Sequence, residues 1–338
     1  MRSFVAVPVA LLAAVAVAAT SYGVRQQYLL GGGGGWDYLT LDQAGKRLFI
    51  ARTDRVMVVD TADGKVIGTI PHTEGVHGVA LVPALGKGFI SDGRADAVTV
   101  FDLKSLETVA TFAVSGHNPD AILYDAKSGH LFTFNGRSHD ITVLDPASGA
   151  VIATIAAGGK PEFVQEDGEG HVFFNIEDTA QLSELDTVAG RRVATWQLPG
   201  CEEPTGLAFD VAHRRLFSAC GNAALIVTDA VTGKHVATVP IGHGSDAVGY
   251  DAQRSLVFSS NGEDGTLTVI HQDTPDHYSV VATVPTQKSA RTLALDPATH
   301  RIYTVAAEFD PAPAATPAEP HPRAPVRDGS FRLLVLGE

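Results

Sequence analysis

Asp37, His77, Asp120, Glu162, Thr205, Asp246 and Arg291 follow one another at intervals of 40 to 45 residues, and all seven are polar. Side chains at one phase of a repeat converge in space when the repeats close into a ring. Four carboxylates and an imidazole on a common axis repel one another unless a cation, protons or the Arg291 guanidinium compensates. The chemistry to expect is therefore divalent-cation binding by Asp37, His77, Asp120, Glu162 and Asp246. Mostly oxygen donors suit calcium, magnesium or manganese, and His77 also admits zinc or iron. In a catalytic version the metal would polarise a carbonyl, with His77 or a carboxylate such as Glu162 as base and Arg291 stabilising an oxyanion. The plainer alternative is that these side chains hydrate a channel and occupy turns, since Pro119, Pro161 and Pro204 each precede a ring residue.

The elements that must position this set are short strands. Runs ending in Asp recur at Tyr38–Asp42, Ala121–Asp125, Phe163–Asp167, Gly206–Asp210, Ala247–Asp251 and Thr292–Asp296, and Gly78–Val82 is a copy without the Asp. Seven residues after each run lies an aromatic: Phe49, Phe89, Phe132, Phe174, Phe217, Phe258 and Tyr303. A third strand follows, as in Val56–Asp60, Val98–Asp102, Ile141–Asp145 and Leu225–Asp229, and then a fourth, as in Val151–Ile155. Four short β runs per unit, separated by Gly, Asn and Asp turns, describe a propeller blade, and no amphipathic helix competes with that reading. The fold expected is all-β, a seven-bladed β-propeller. Its last unit ends after the third strand, so residues 24–30 are expected to supply the missing outer strand and close the ring.

A second tier follows the second strand of each unit: Arg52, Asp92, Asn135, Glu177, Cys220, Asn261 and, in the last unit, Glu308. These loops should share a face with the ring. Asp92, Asn135 and Asn261 each precede Gly, as ordinary hairpin turns do. Arg291, Glu177, Asn135, Asn261, Glu263 and Glu308 make up the expected ligand-contacting set beside the metal ligands. His117, His139 and His243 fall near the rim without metal-ligand spacing and are expected to be solvated.

The repeats containing Phe49-Ile-Ala-Arg52, Phe132-Thr-Phe-Asn135 and Phe258-Ser-Ser-Asn261, with the Thr-Val-Leu-Asp and Thr-Val-Ile strands that follow, resemble the YVTN or YncE-like β-propeller family. The resemblance spans essentially residues 19–338, although the tetrad Tyr-Val-Thr-Asn itself does not occur. It implies seven blades and an exported bacterial protein.

Residues 1–18 combine Arg2, an uncharged apolar run from Phe4 to Ala18, and the small-residue triplet Ala16-Val17-Ala18, the pattern of a cleaved signal peptide. The run is too short to span a bilayer, so a periplasmic or secreted protein without stable membrane insertion is expected. In an oxidising compartment Cys201 and Cys220, the only cysteines, should form a disulfide. A formal charge of −13 disfavours nucleic acid. No haem-attachment, phosphate-loop, dinucleotide, Gly-x-Ser-x-Gly or His-Glu-x-x-His motif is present, so no haem or nucleotide is expected. Residues 309–330 hold six prolines and form an extended insertion in the last unit, either a lid over the ring or a surface loop. The expected role is binding of a divalent cation, a small polar ligand or both at the channel mouth by a monomer. The competing roles are a metal-dependent lactonase, hydrolase or lyase, and a scaffold for a protein partner.

Overall fold

The computed structural model describes residues 22–316 and 322–338; the expected signal segment lies outside them. Among the described residues the strands form seven four-stranded antiparallel sheets arranged as the blades of a propeller. Blades one to seven begin with inner strands Leu39–Asp42, Val76–Val82, Pro119–Asp125, Pro161–Glu166, Pro204–Asp210, Ser245–Asp251 and Leu293–Asp296. In blades one to six the order within the sheet follows the chain, so neighbouring strands are joined as hairpins; blade seven takes its outer strand from the other end of the chain.

The seven core clusters are shared between neighbouring blades. Phe49 of blade one packs with Ile90 and Phe101 of blade two, and Phe217 of blade five packs with Val248 and Ile270 of blade six. Second and third strands are consequently buried on both faces. Outer strands alternate: in Val66–Pro71 and Val151–Ala156 one face remains exposed.

Blade four departs from the sequence repeat by one residue. Phe173, rather than Phe174, pairs with Gln165 and packs toward blade five, while Phe174 turns back toward blade three. A shorter hairpin, in which the Asp167 amide donates to the His171 carbonyl, shifts the second strand. Ile176 therefore ends that strand, and Glu177 falls in the 3-10 turn beyond it.

Closure comes from the two ends of the chain. Gly23–Leu29 pairs antiparallel with Arg332–Gly337 as the outer strand of blade seven. The joint into blade one is the glycine run, where Gly31, Gly32 and Gly34 take left-handed backbone that side chains disfavour. Arg52, with no solvent exposure, donates from Nε to the Gly35 carbonyl and from Nη2 to those of Gly32, Gly33 and Gly34. Its guanidinium lies 3.5 Å from the Phe331 ring, and burial lowers its pKa to about 10. One buried arginine thus fixes the seam between the closing strand and the first blade.

Removal of residues 23–29 would expose the backbone edge of Arg332–Gly337, whose residues from Leu333 to Leu336 are buried. The truncated protein should melt roughly 10 °C or more below the full chain, recovering with an added peptide of the same segment. Unchanged thermal melts would refute the dependence of the ring on this strand.

Candidate metal centre at the channel mouth

Each ring residue sits at the entry of an inner strand, one position inside it in blades two to six. Inner strands surround the axis, so their entries meet at one mouth. Asp37, Asp120, Glu162, Asp246 and Arg291 line a cup of about 310 Å³ there, with Tyr38, Lys160 and Glu177. The rings of Tyr38 and Phe163, 4.7 Å apart, pack together in its wall.

The seven residues do not act as one set; they divide by neighbour. Asp37, His77 and Asp120, from blades one, two and three, bring one ligand atom each to within 4.8 Å of the others. His77 Nδ1 lies 2.6 Å from Asp37 Oδ2 and 3.6 Å from Asp120 Oδ2. Glu162 instead accepts from Lys160 Nζ at 2.8 Å, and the same ammonium bonds Glu177. Asp246 is held by Arg291 Nε, and Arg291 Nη2 donates to the Trp36 carbonyl at 2.7 Å. Thr205 donates to the Ser245 carbonyl.

The far side of the His77 ring decides what Nδ1 can do. The Asn118 side chain hydrogen-bonds His77, and both its Oδ1 and His77 Nε2 crowd the place of a Cβ on Gly93. With Nε2–H donated to Asn118, Nδ1 faces two carboxylates and must carry a proton or bind a cation. Burial opposes charge on His77, but the Asp120 charge and the hydrogen bond to Asp37 outweigh it and raise its pKa to about 9.

The carboxylates carry the complementary strain. Burial raises Asp120, with Asp37 adding to it and His77 working against it. Burial raises Glu162, reinforced by the Asp120 charge and opposed by Lys160, and burial likewise raises Asp246 against the pull of Arg291. The Tyr38 hydroxyl bonds Asp120 and is pushed well above its ordinary value by burial and by the charges of Asp120, Glu162, Asp37 and Asp246. A divalent cation on the triad would relieve this repulsion.

The second tier divides too. Glu177 enters the cup, and Glu263 lines the adjoining rim cleft with Glu203. Asn135 and Asn261 are fully buried and donate to Thr142 and Thr268 of their own blades, bracing turns. Glu308 pairs with Arg327 and Arg332 at the base of the insertion. Cys201 and Cys220 form a disulfide in blade five with Cα atoms 5.4 Å apart. His117 and His243 bond Asp96 and Asp264 on the surface.

Lys160, Asn118 and Tyr38 were not anticipated. Two positions before the ring residues of blades two and six stand Gly75 and Gly244, both left-handed, yet in blades three, five and seven Asn118, Glu203 and Ser289 accept that same conformation. A side chain kept where glycine is easier is a legible signal of use.

No family model matches the sequence, and no curated protein matches it. Among solved structures the chain is similar to Hydrazine Synthase of Kuenenia stuttgartiensis, with a TM-score of 0.70 and 16% identity over 82% of this chain and 95% of that one. At this identity the likeness shows the propeller fold and no activity.

Asp92 offers a pH test of the second tier. Its Oδ2 accepts from Thr99 Oγ1 at 2.6 Å, its Oδ1 has no partner among the described residues, and burial raises its pKa to about 7 despite Thr99. A carboxyl raised in the folded state favours the protonated form, so its destabilisation grows as pH rises from about 4 to 7 and is complete above that. Asp92→Asn should stabilise the protein by about 2 kcal/mol at pH 8 and leave it unchanged at pH 4, measured by chemical denaturation. An equal effect at both pH values would exclude the ionised carboxylate as its origin.

Proposed function

We propose that this chain is an exported propeller that binds one divalent cation at Asp37, His77 and Asp120. The observation that carries this reading is the His77 ring. Asn118 engages it on one side, so Nδ1 is directed between two carboxylates. One imidazole and two carboxylates suit zinc, manganese or ferrous iron better than calcium, which prefers more oxygen donors. Two carboxylates also neutralise a divalent charge. Glu162 and Asp246 serve as outer carboxylates, held off the metal by Lys160 and Arg291.

Export is supported by the Cys201–Cys220 disulfide, which persists in oxidising compartments, and by the residue 1–18 pattern. No helix among the described residues is long and apolar enough to cross a membrane. The YVTN-like repeats agree with such a location. A second reading, metal-dependent hydrolysis or lyase chemistry, draws on the cup itself, where Glu162 and Arg291 line the same cavity as Asp37 and Asp120 and would serve as base and oxyanion partner.

The test is elemental analysis after equilibration with zinc or manganese and desalting. About one ion per chain is expected, with proton release on uptake because His77 starts protonated. His77→Ala and Asp120→Asn should each lower affinity at least roughly tenfold, whereas Asn135→Ala should not. A wild-type protein that retains no ion, or variants that retain it equally, would overturn the reading.

A further inference from the structure

Beside the cup, and sharing Arg291 and Arg323 with it, lies a second cavity of about 680 Å³. Its apolar walls are Trp36, Phe309, Pro325 and Val326. We infer that this cavity binds a carboxylate with an aromatic or other apolar body, its oxygens held by Arg323 and Arg291 and its body lying against Trp36 and Phe309.

Four observations lead there. First, the polar side chains of the cavity are rich in donors. Arg323 forms no ion pair or hydrogen bond among the described residues, and Arg291 has committed Nε to Asp246 and Nη2 to the Trp36 carbonyl, leaving Nη1. Second, the acceptors that the glycine run would present are already engaged. The Gly34 and Gly35 carbonyls, from two residues that line the cavity, accept from Arg52. An anionic acceptor meets free donors here, whereas an amine would find few free acceptors.

Third, the wall carrying Arg323 is anchored. The Asp310 amide donates to the Pro325 carbonyl, the Arg327 amide donates to the Glu308 carbonyl, and Arg327 pairs with Glu308 and Asp310. Phe309 bridges Val326 across this base, and its ring lies 6.1 Å from that of Trp36. Fourth, the charges around the mouth are polarised. The rim cleft on the side of blades five and six carries Glu177, Glu203, Asp246 and Glu263 against Arg291 alone, while the cavity beside blades seven and one, which shares Arg291, adds Arg323 and carries no acid. A carboxylate is therefore directed to the arginine side, and the volume is that of an ordinary small-molecule pocket.

This site adjoins the proposed metal centre but does not depend on it, so the two can fail separately. Phenylacetate is the probe, titrated calorimetrically into chelator-treated full-length protein, with phenylacetamide and acetate as controls. The expected result is phenylacetate bound about tenfold or more tightly than either control, since a charge-assisted pair and an apolar body both contribute. Arg323→Ala should weaken phenylacetate to the level of the amide without shifting the thermal melt, and Arg323→Lys should restore part of the affinity. No binding to the wild-type protein, equal affinity for phenylacetamide, or full affinity in Arg323→Ala would overturn the inference. So would binding that appears only after metal is restored. Metal uptake measured on the same samples reports on the triad independently.

Discussion

Everything at the mouth depends on the antiparallel pairing of Gly23–Leu29 with Arg332–Gly337. A blade presents an apolar face on each side and is stable only between two others, so an open arc of seven would leave two faces wet. Pairing the chain ends inside one sheet removes that liability and brings blade seven against blade one. It also sets the site. Trp36 and Asp37 follow the closing strand by a few residues, and Arg291 of blade seven reaches across the seam to the Trp36 carbonyl. Buried Arg52 fastens the intervening glycines from the blade-one side. The seam that completes the fold is thus a wall of both the cup and the cavity beside it.

Repetition made the architecture legible. Seven copies of one strand pattern report the same local physics seven times, so single irregular residues do not obscure the period. The ring was legible for the same reason, because a fixed phase in a closed repeat must converge. What the period could not give was pairing among the converging residues. Whether Glu162 joins Asp120 or turns to Lys160 depends on side-chain reach between adjacent blades, and Lys160 occupies a position that is glycine in three other blades. Blade four departs from the count only in its aromatic: the shorter hairpin brings Phe173 into register in place of Phe174, while Glu177 lies in the turn beyond the strand, where the period put it.

Asp92, Asn135 and Asn261 share one phase and look alike as residues before glycine. In the structure the two asparagines donate from Nδ2 to a threonine of the next strand, while Asp92 places a carboxyl oxygen at that position and accepts from Thr99 instead. The asparagine Oδ1 atoms accept from Thr133 and Ser259, whereas the residue two before Asp92 is Ile90, which leaves its Oδ1 without a donor. A one-atom difference in side chain thereby separates a satisfied turn from a strained one, a distinction that turn statistics do not carry.

The proposal of one cation, rather than several, follows from the charge pattern of the mouth. Lys160 and Arg291 each bind an acid beside them, on blade four and on blade six respectively, so Glu162 and Asp246 are neutralised in place. Glu177 shares Lys160 with Glu162, whereas Asp37 and Asp120 flank His77, whose proton balances only one of them. Replacing that proton with a divalent cation balances both, and Asn118 keeps the imidazole turned to accept the exchange. The arrangement therefore concentrates its unmet charge at three adjacent blades, where the proposed cation would sit, while Arg323, without an ion pair among the described residues, stands at the edge of the same cup.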